Sequence, residues 1–325
     1  MIRRTLVTHA VAAACILAVS PWSLAQSAGA GRPITIVVPL APGGDTDTVA
    51  RLIAEGMAAE LKQSVVVDNR AGAGGQIGMQ AVTNAAPDGH TLGLAFQAAL
   101  TVVPHLRLKP PYDPTRDFTP IGRVATTSNA LIVRADSPIR TVQELVAKAK
   151  AAPDKLSYGS WGIGSGGHLG GEIVNAEAGI RTQHVPYKGT SEVVQALIGG
   201  EVDYAFLGYG LATAQSKGGK VRVVSVLAHE RSPTWPQVAT LKESGFSFAQ
   251  EGWFGLVGPP GLPEETRKRL ESALLKVAGS PAVADRLASL GITASPKNGA
   301  EFKELIRHDY EMWGLWLGKL NLPKS

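Results

Sequence analysis

The most constraining feature of this chain is an arrangement that occurs once in each half: a short strand, a glycine-rich turn and a helix-period segment. Ile34 to Val38 (ITIVV) is continuous, apolar and mostly β-branched, the pattern of a strand covered on both faces. The turn Pro39 to Asp45 follows, and Thr46 to Leu61 then carries Val49, Leu52, Ile53, Met57 and Leu61 at helical spacing. In the second half Leu156 to Gly159 leads through Gly159–His168 into a helix near Gly167–Ala178. Further strands are expected at Ser64–Val67, Thr91–Phe96, Ala130–Val133, His184–Val185, Tyr204–Leu207, Val221–Leu227 and Phe254–Val257. Helices are expected at Gln76–Ala85, Ser191–Ile198 and Leu211–Lys217, and three more start near Pro263, Pro281 and Ala300. Thr141, with Glu144 three residues on, marks a capping box. This alternation predicts an α/β fold of βαβ units with a parallel sheet. A chain of 325 residues suggests about two domains. Breaks near Ala125–Ser128 and Gln250–Gly252 would insert the second into the first.

The N-terminus reads as an address. Arg3 and Arg4 precede an apolar run from Leu6 to Val19, Pro21 breaks it, and Ser23-Leu24-Ala25 offers small residues for cleavage after Ala25. The run is shorter than the roughly 20 residues a membrane span needs. Arg3-Arg4 resembles a twin-arginine export signal in poor surroundings, and Cys15 has too many apolar residues after it for a lipoprotein cysteine. Residues 1–25 carry two basic and no acidic side chains, so removing them lowers the formal charge from +5 to 5 − 2 = +3. They also carry the single Cys, so the mature chain has no disulfide, thiol chemistry or thiolate metal site. A soluble protein outside the cytoplasm is expected. Hydrophobic residues at 44% exclude a disordered chain, while aromatics at 6% and the small net charge argue against a nucleic-acid partner.

Chemistry concentrates in the glycine loops. Pro39–Asp47 places Gly43 and Gly44 where backbone N–H groups meet the positive end of a helix dipole, which suits an anion. The same residues also suit a tight turn with Asp45 or Asp47 as a helix cap, and this loop alone leaves both readings open. Gly159–His168 repeats the arrangement, and two such helix ends facing across a cleft favour a carboxylate or dicarboxylate. Ala71–Gly75 lacks the G-x-G-x-x-G spacing of a dinucleotide site, and neither long loop ends in Gly-Lys-Ser/Thr. Ser165 and His168 lack a nucleophile elbow, and three residues apart on a turn is no triad. His168 reads either as a ligand group or, preferably, as a pin for its loop. The seven His include no H-x-x-x-H pair, so neither a zinc site nor any cofactor is expected. Trp161, inside a glycine loop, reads as a pocket wall, with Tyr209 as a second. Trp313 and Trp316 read as packing residues.

Eight motifs then occur in a fixed order: Pro39-x-x-Pro42-Gly43-Gly44-x-Thr46-Asp47, Asp68-Asn69-Arg70-x-Gly72-Ala73-Gly74-Gly75, Ala86-Pro87-Asp88-Gly89-His90, Gly162-x-Gly164-Ser165-x-x-His168-Leu169, Val185-Pro186-Tyr187-Lys188-Gly189, Gly199-Gly200-x-Val202-Asp203, Arg231-Ser232 and Trp253-Phe254-Gly255. In this the chain resembles the substrate-binding receptors of tripartite tricarboxylate transporters, the Bug receptors, over nearly all of its mature length. The resemblance implies a two-lobed, type II-like periplasmic Venus-flytrap fold, with residues 26–127 and 252–325 in one lobe and 128–251 in the other. It implies a monomer that passes a small organic carboxylate to a transporter with one large and one small membrane subunit. A ligand sensor of the same fold and, further off, a periplasmic hydrolase are the alternatives.

Such receptors hold carboxylates through backbone N–H groups and water. That implies contacts from Leu40, Pro42, Gly43, Gly44, Asp45, Thr46 and Asp47, and from Gln97 after the third strand. In the second half it implies Ser160, Trp161, Gly164, Ser165, Gly166, Gly167 and His168, then Thr190, Leu207, Gly208 and Tyr209. The chain departs from the usual pattern at Leu40, where Phe is common, and at Trp161, where a small residue is common. It departs again at Phe206-Leu207-Gly208-Tyr209, where Phe-Asp-Asn is common. The expected pocket is therefore more aromatic and less polar than one for citrate or an amino acid.

Overall fold

The computed structural model describes residues 31–249 and 251–320. The targeting segment and its cleavage after Ala25 lie outside the described residues. The chain folds into two mixed sheets covered by helices. The first sheet contains β1 (Ile34–Val38), β2 (Val65–Asn69), β3 (Thr91–Phe96), β4 (Thr119–Thr127), β10 (Gly252–Gly258) and β11 (Thr293–Asn298), in the order β11-β4-β10-β3-β1-β2. The second contains β5 (Asn129–Arg134), β6 (Ser157–Ser160), β7 (Gln183–Pro186), β8 (Tyr204–Gly208) and β9 (Val221–Val226), in the order β7-β6-β8-β5-β9. The chain leaves the first sheet between Thr127 and Asn129 and is back in it at Gly252.

β1 forms where it does because its apolar residues are covered from both sides; four of the five are buried. α1 (Asp45–Leu61) follows it, burying Val49, Ala50, Ile53 and Met57, spaced to line one helix face. α2 (Gln76–Thr83) and α3 (Gln97–Thr101) complete the first pass through this sheet. In the second sheet α4 (Val142–Ala151), α5 (Gly166–Ala178), α6 (Thr190–Gly199) and α7 (Tyr209–Lys217) alternate with the strands. Thr141 caps α4 as expected, accepting the Glu144 N–H, but Glu144 reaches back to the Arg140 N–H rather than that of Thr141. α8 (Glu264–Ala278), α9 (Pro281–Ser289) and α10 (Gly299–Leu320) follow β10.

The expected parallel sheet is corrected to two mixed ones. β1, β2 and β3 are parallel, as are β6, β7 and β8, whereas β10 runs antiparallel between β3 and β4, and β5 runs antiparallel between β8 and β9. The reason is the route of the chain: β10 arrives from the second sheet rather than through a crossover helix, so no right-handed βαβ unit sets its direction. β4 and β11 escape periodicity analysis. Their pairing contains register shifts, β4 mixes Pro, Gly and Arg with apolar residues, and β11 carries Pro296 on the sheet edge, where a missing N–H is tolerated. α3 is too short for a 3.6-residue period to register.

α5 packs on the second sheet through glycine. A Cβ on Gly171 would lie 2.2 Å from the Tyr158 ring, and one on Gly170 would lie 2.8 Å from the Phe206 ring. Both rings are fully buried. Helix propensity alone favours Ala over Gly by about 1 kcal/mol, while overpacking a core costs about 1–3 kcal/mol. Gly171→Ala is therefore expected to lower the urea-unfolding free energy. An increase in stability would mean that Tyr158 yields freely.

Candidate functional site

Residues from both halves line a cavity of about 60 Å³ that opens to solvent. The first glycine loop and the start of α1 contribute Leu40, Asp45 and Thr46; the end of β3 and the start of α3 contribute Phe96, Gln97 and Ala98. The second half contributes Trp161, Gly166, Thr190 and Gly208. Thr127 and Asn129, where the chain leaves the first sheet, and Gly252, Trp253 and Phe254, where it returns, complete the wall. No Lys, Arg or His side chain is among these lining residues. Instead α1, α5, α6 and α7 all begin at or beside them, so peptide dipoles supply the positive potential.

The first loop is shaped by Asp47, whose carboxylate is buried. It accepts the Gly43 N–H at 3.0 Å, Arg51 Nε at 3.0 Å and Asn69 Nδ2 at 3.0 Å, and Asn69 also donates to the Leu40 carbonyl. Burial would raise the Asp47 pKa, but the hydrogen bonds from Arg51, Gly43 and Asn69 outweigh it and hold the carboxyl below its ordinary value. The helix cap of α1 is Gly44, with no side-chain cap, so neither Asp45 nor Asp47 plays the capping role. Asp45 turns the other way: its carboxylate accepts the Gly210 N–H at 3.1 Å and the Leu211 N–H at 2.8 Å at the start of α7. Burial pushes its pKa up to about 6 against those two bonds. The loops also meet where Ser191 Oγ donates to the Pro42 carbonyl at 3.1 Å, and a Cβ on Gly44 would collide with Thr190 Oγ1.

The second loop is pinned from within. Ser165 Oγ accepts the His168 backbone N–H, and His168 Nδ1 accepts the Gly164 N–H at 3.1 Å. His184, which periodicity does not single out, lies beneath: its ring is 4.2 Å from that of His168, and its Nε2 is 2.6 Å from Ser160 Oγ. Burial pushes the His168 pKa down to about 4; burial and then His168 push that of His184 down to about 3. Ser160 and Ser165 are fully buried and do not line the cavity.

Of the residues expected to contact ligand, Leu40, Asp45, Thr46, Gln97, Trp161, Gly166, Thr190 and Gly208 come together on the wall. Pro42, Gly43, Gly44, Asp47, Ser160, Gly164, Ser165, Gly167, His168 and Leu207 do not line it. Tyr209 faces elsewhere, with its ring edge-on to Trp235 at 5.4 Å. The wall residues that the sequence reading did not select are Phe96, Ala98, Thr127, Asn129, Gly252, Trp253 and Phe254. Trp253-Phe254 stood in a motif, but no spacing tied it to the glycine loops. Behind them, Asp309 of α10 is buried and accepts both Gln97 Nε2 at 2.6 Å and Trp253 Nε1 at 2.8 Å. Trp313 and Trp316 pack with Phe248.

The chain matches the model of the tripartite tricarboxylate transporter family receptor over residues 49–322 and belongs to that family. It is 36% identical over 262 residues to a UPF0065 protein of Bordetella pertussis, covering 80% of this chain and 81% of that one. The structure of periplasmic binding protein BugD superposes with a TM-score of 0.87 at 34% identity, covering 90% of this chain and 99% of that one. MatC from Rhodopseudomonas palustris with bound malate superposes with a TM-score of 0.84 at 32% identity, covering 87% and 98%. Family and fold are those of binding proteins.

Two expectations follow from this geometry. Asp309→Leu removes the acceptor of the buried Trp253 indole N–H; at about 1–3 kcal/mol for an unsatisfied buried group, urea unfolding should show a loss of that size with a changed tryptophan emission. Both buried imidazoles titrate below the ordinary 6.5, so on acidification the unfolded chain takes up protons first. The imidazoles' contribution to stability is complete above pH 6.5 and declines toward pH 4. Asp45, raised to about 6, acts in the opposite sense but by a smaller shift. The melting temperature should fall between pH 6.5 and 4, and His184→Gln should flatten that fall; an unchanged slope would remove the imidazoles as its cause.

Proposed function

We propose that this protein is an extracytoplasmic receptor whose two lobes close on a small organic carboxylate and deliver it to a membrane transporter with one large and one small subunit. The lobes are residues 26–127 with 252–325, and residues 128–251. The mature monomer works in the periplasm, after loss of residues 1–25, as a carrier rather than an enzyme. The observation that carries the ligand class is a wall with helix N-termini and no basic side chain, which suits an anion held by backbone N–H groups. The binding of malate by MatC supports the same class. Phe96, Trp161, Trp253 and Phe254 make the rest of the wall aromatic, and this favours an aromatic or partly apolar acid.

The hydrolase reading has little support, because Ser165 Oγ and His168 Nδ1 are both engaged in holding their own loop. A sensor would share the fold and the ligand. Calorimetry against benzoate-, pyridine- and citrate-type acids tests the ligand class; an aromatic acid should bind near micromolar, about −8 kcal/mol, and tight binding of citrate alone would overturn it. Aromatic contacts contribute about 0.5–1.5 kcal/mol each beyond burial, so Trp161→Ala should weaken an aromatic acid about 2- to 12-fold beyond its effect on an aliphatic acid of similar size.

A further inference from the structure

The start of α7 is built to receive a carboxylate, and the chain supplies one itself. The first amide of α7, that of Tyr209, donates to the Ser128 carbonyl at 3.1 Å, and the next two, Gly210 and Leu211, donate to the two oxygens of Asp45. The seat has no room for anything else. A Cβ on Gly208 would lie 2.2 Å from one Asp45 oxygen, and a Cβ on Gly210 would lie 2.6 Å from the other. Asp45 and Gly208 both line the cavity, so this seat opens onto the space a ligand would fill. The carboxylate belongs to the first residue of α1, so it lies between two helix N-termini contributed by opposite halves of the molecule.

We infer that Asp45 is a specificity-determining residue: it fills the place that a second ligand carboxylate would take, and so restricts the receptor to acids with one carboxylate. The inference rests on the proposed carboxylate-receptor reading. The starts of α1 and α5, whose first residues line the cavity, are left for a ligand's first carboxylate. A second one would find the α7 amides already used, and would lie near the Asp45 charge with no lining cation to offset it. The residue thus acts twice, by filling the seat and by repelling a competitor for it.

The test is calorimetry at pH 7.5 with two matched pairs, benzoate against terephthalate and hexanoate against adipate, on wild type, Asp45→Asn and Asp45→Ala. Wild type should prefer the monoacid of each pair at least tenfold. Asp45→Ala, which vacates the seat, should erase or reverse that preference, the diacid gaining tenfold or more. Asp45→Asn, nearly isosteric and neutral, should remove the repulsion but keep the seat filled, and so fall between the two; it also serves if Asp45→Ala folds poorly. Acids that bind wild type with no preference, or a preference unmoved in both variants, would overturn the role of Asp45 while leaving the carboxylate receptor standing. Failure of all four acids, and of the wider acid panel, to bind wild type would overturn both.

Discussion

A cavity that holds an anion without a cation on its wall depends on where its backbone amides point. A lysine or arginine can follow its ligand, whereas a peptide N–H is fixed by the loop that carries it. The loops at this site are accordingly held by their own buried polar groups. The Asp47 carboxylate binds the Gly43 amide while Arg51 and Asn69 neutralise and orient it, and Asn69 also fixes the Leu40 carbonyl. In the second loop His168 takes the Gly164 amide and Ser165 takes that of His168. These residues act through the backbone they shape, which is why they stand behind the wall and not on it.

That division explains how much of the site was legible in the sequence. A strand, a glycine loop and a helix in succession can be read locally, and both loops and the intrusive Trp161 were found that way. The partner of Asp45 could not be. An acid at a helix start looks like a cap, and nothing local says that the amides it binds lie at Gly210 and Leu211. Tyr209 follows the same rule in reverse: its position after a strand suggested a wall, but Trp235, which nothing local linked to it, draws the ring away. β4 and β11 were hidden because they are bulged and carry Pro120 and Pro296, so their burial does not alternate cleanly.

The topology has a consequence for the cavity. β10 returns between β3 and β4 with Phe254 opposite Phe96 and Gly252 opposite Thr127, so four wall residues are set by one strand's register. A one-residue slip would turn Phe254 to the other face of the sheet. Asp309 adds a constraint from farther away, since α10 reaches Gln97 and Trp253 together through one carboxylate oxygen. The end of β3, β10 and the C-terminal helix are therefore joined into one wall, with Gln97 and Asp309 more than two hundred residues apart in sequence.

On the receptor reading, closure must bring two such walls together. Thr127, Asn129 and Gly252 lie on the wall and also where the chain passes between the sheets. A ligand that contacts them favours the closed arrangement by its differential affinity alone. The Asp45 bridge to α7 joins the two halves without a ligand. The bridge places a charge in a desolvated position, and burial raises its pKa in consequence. Two opposed terms thus meet in one carboxylate: its hydrogen bonds hold the starts of α1 and α7 together, and its desolvation opposes them.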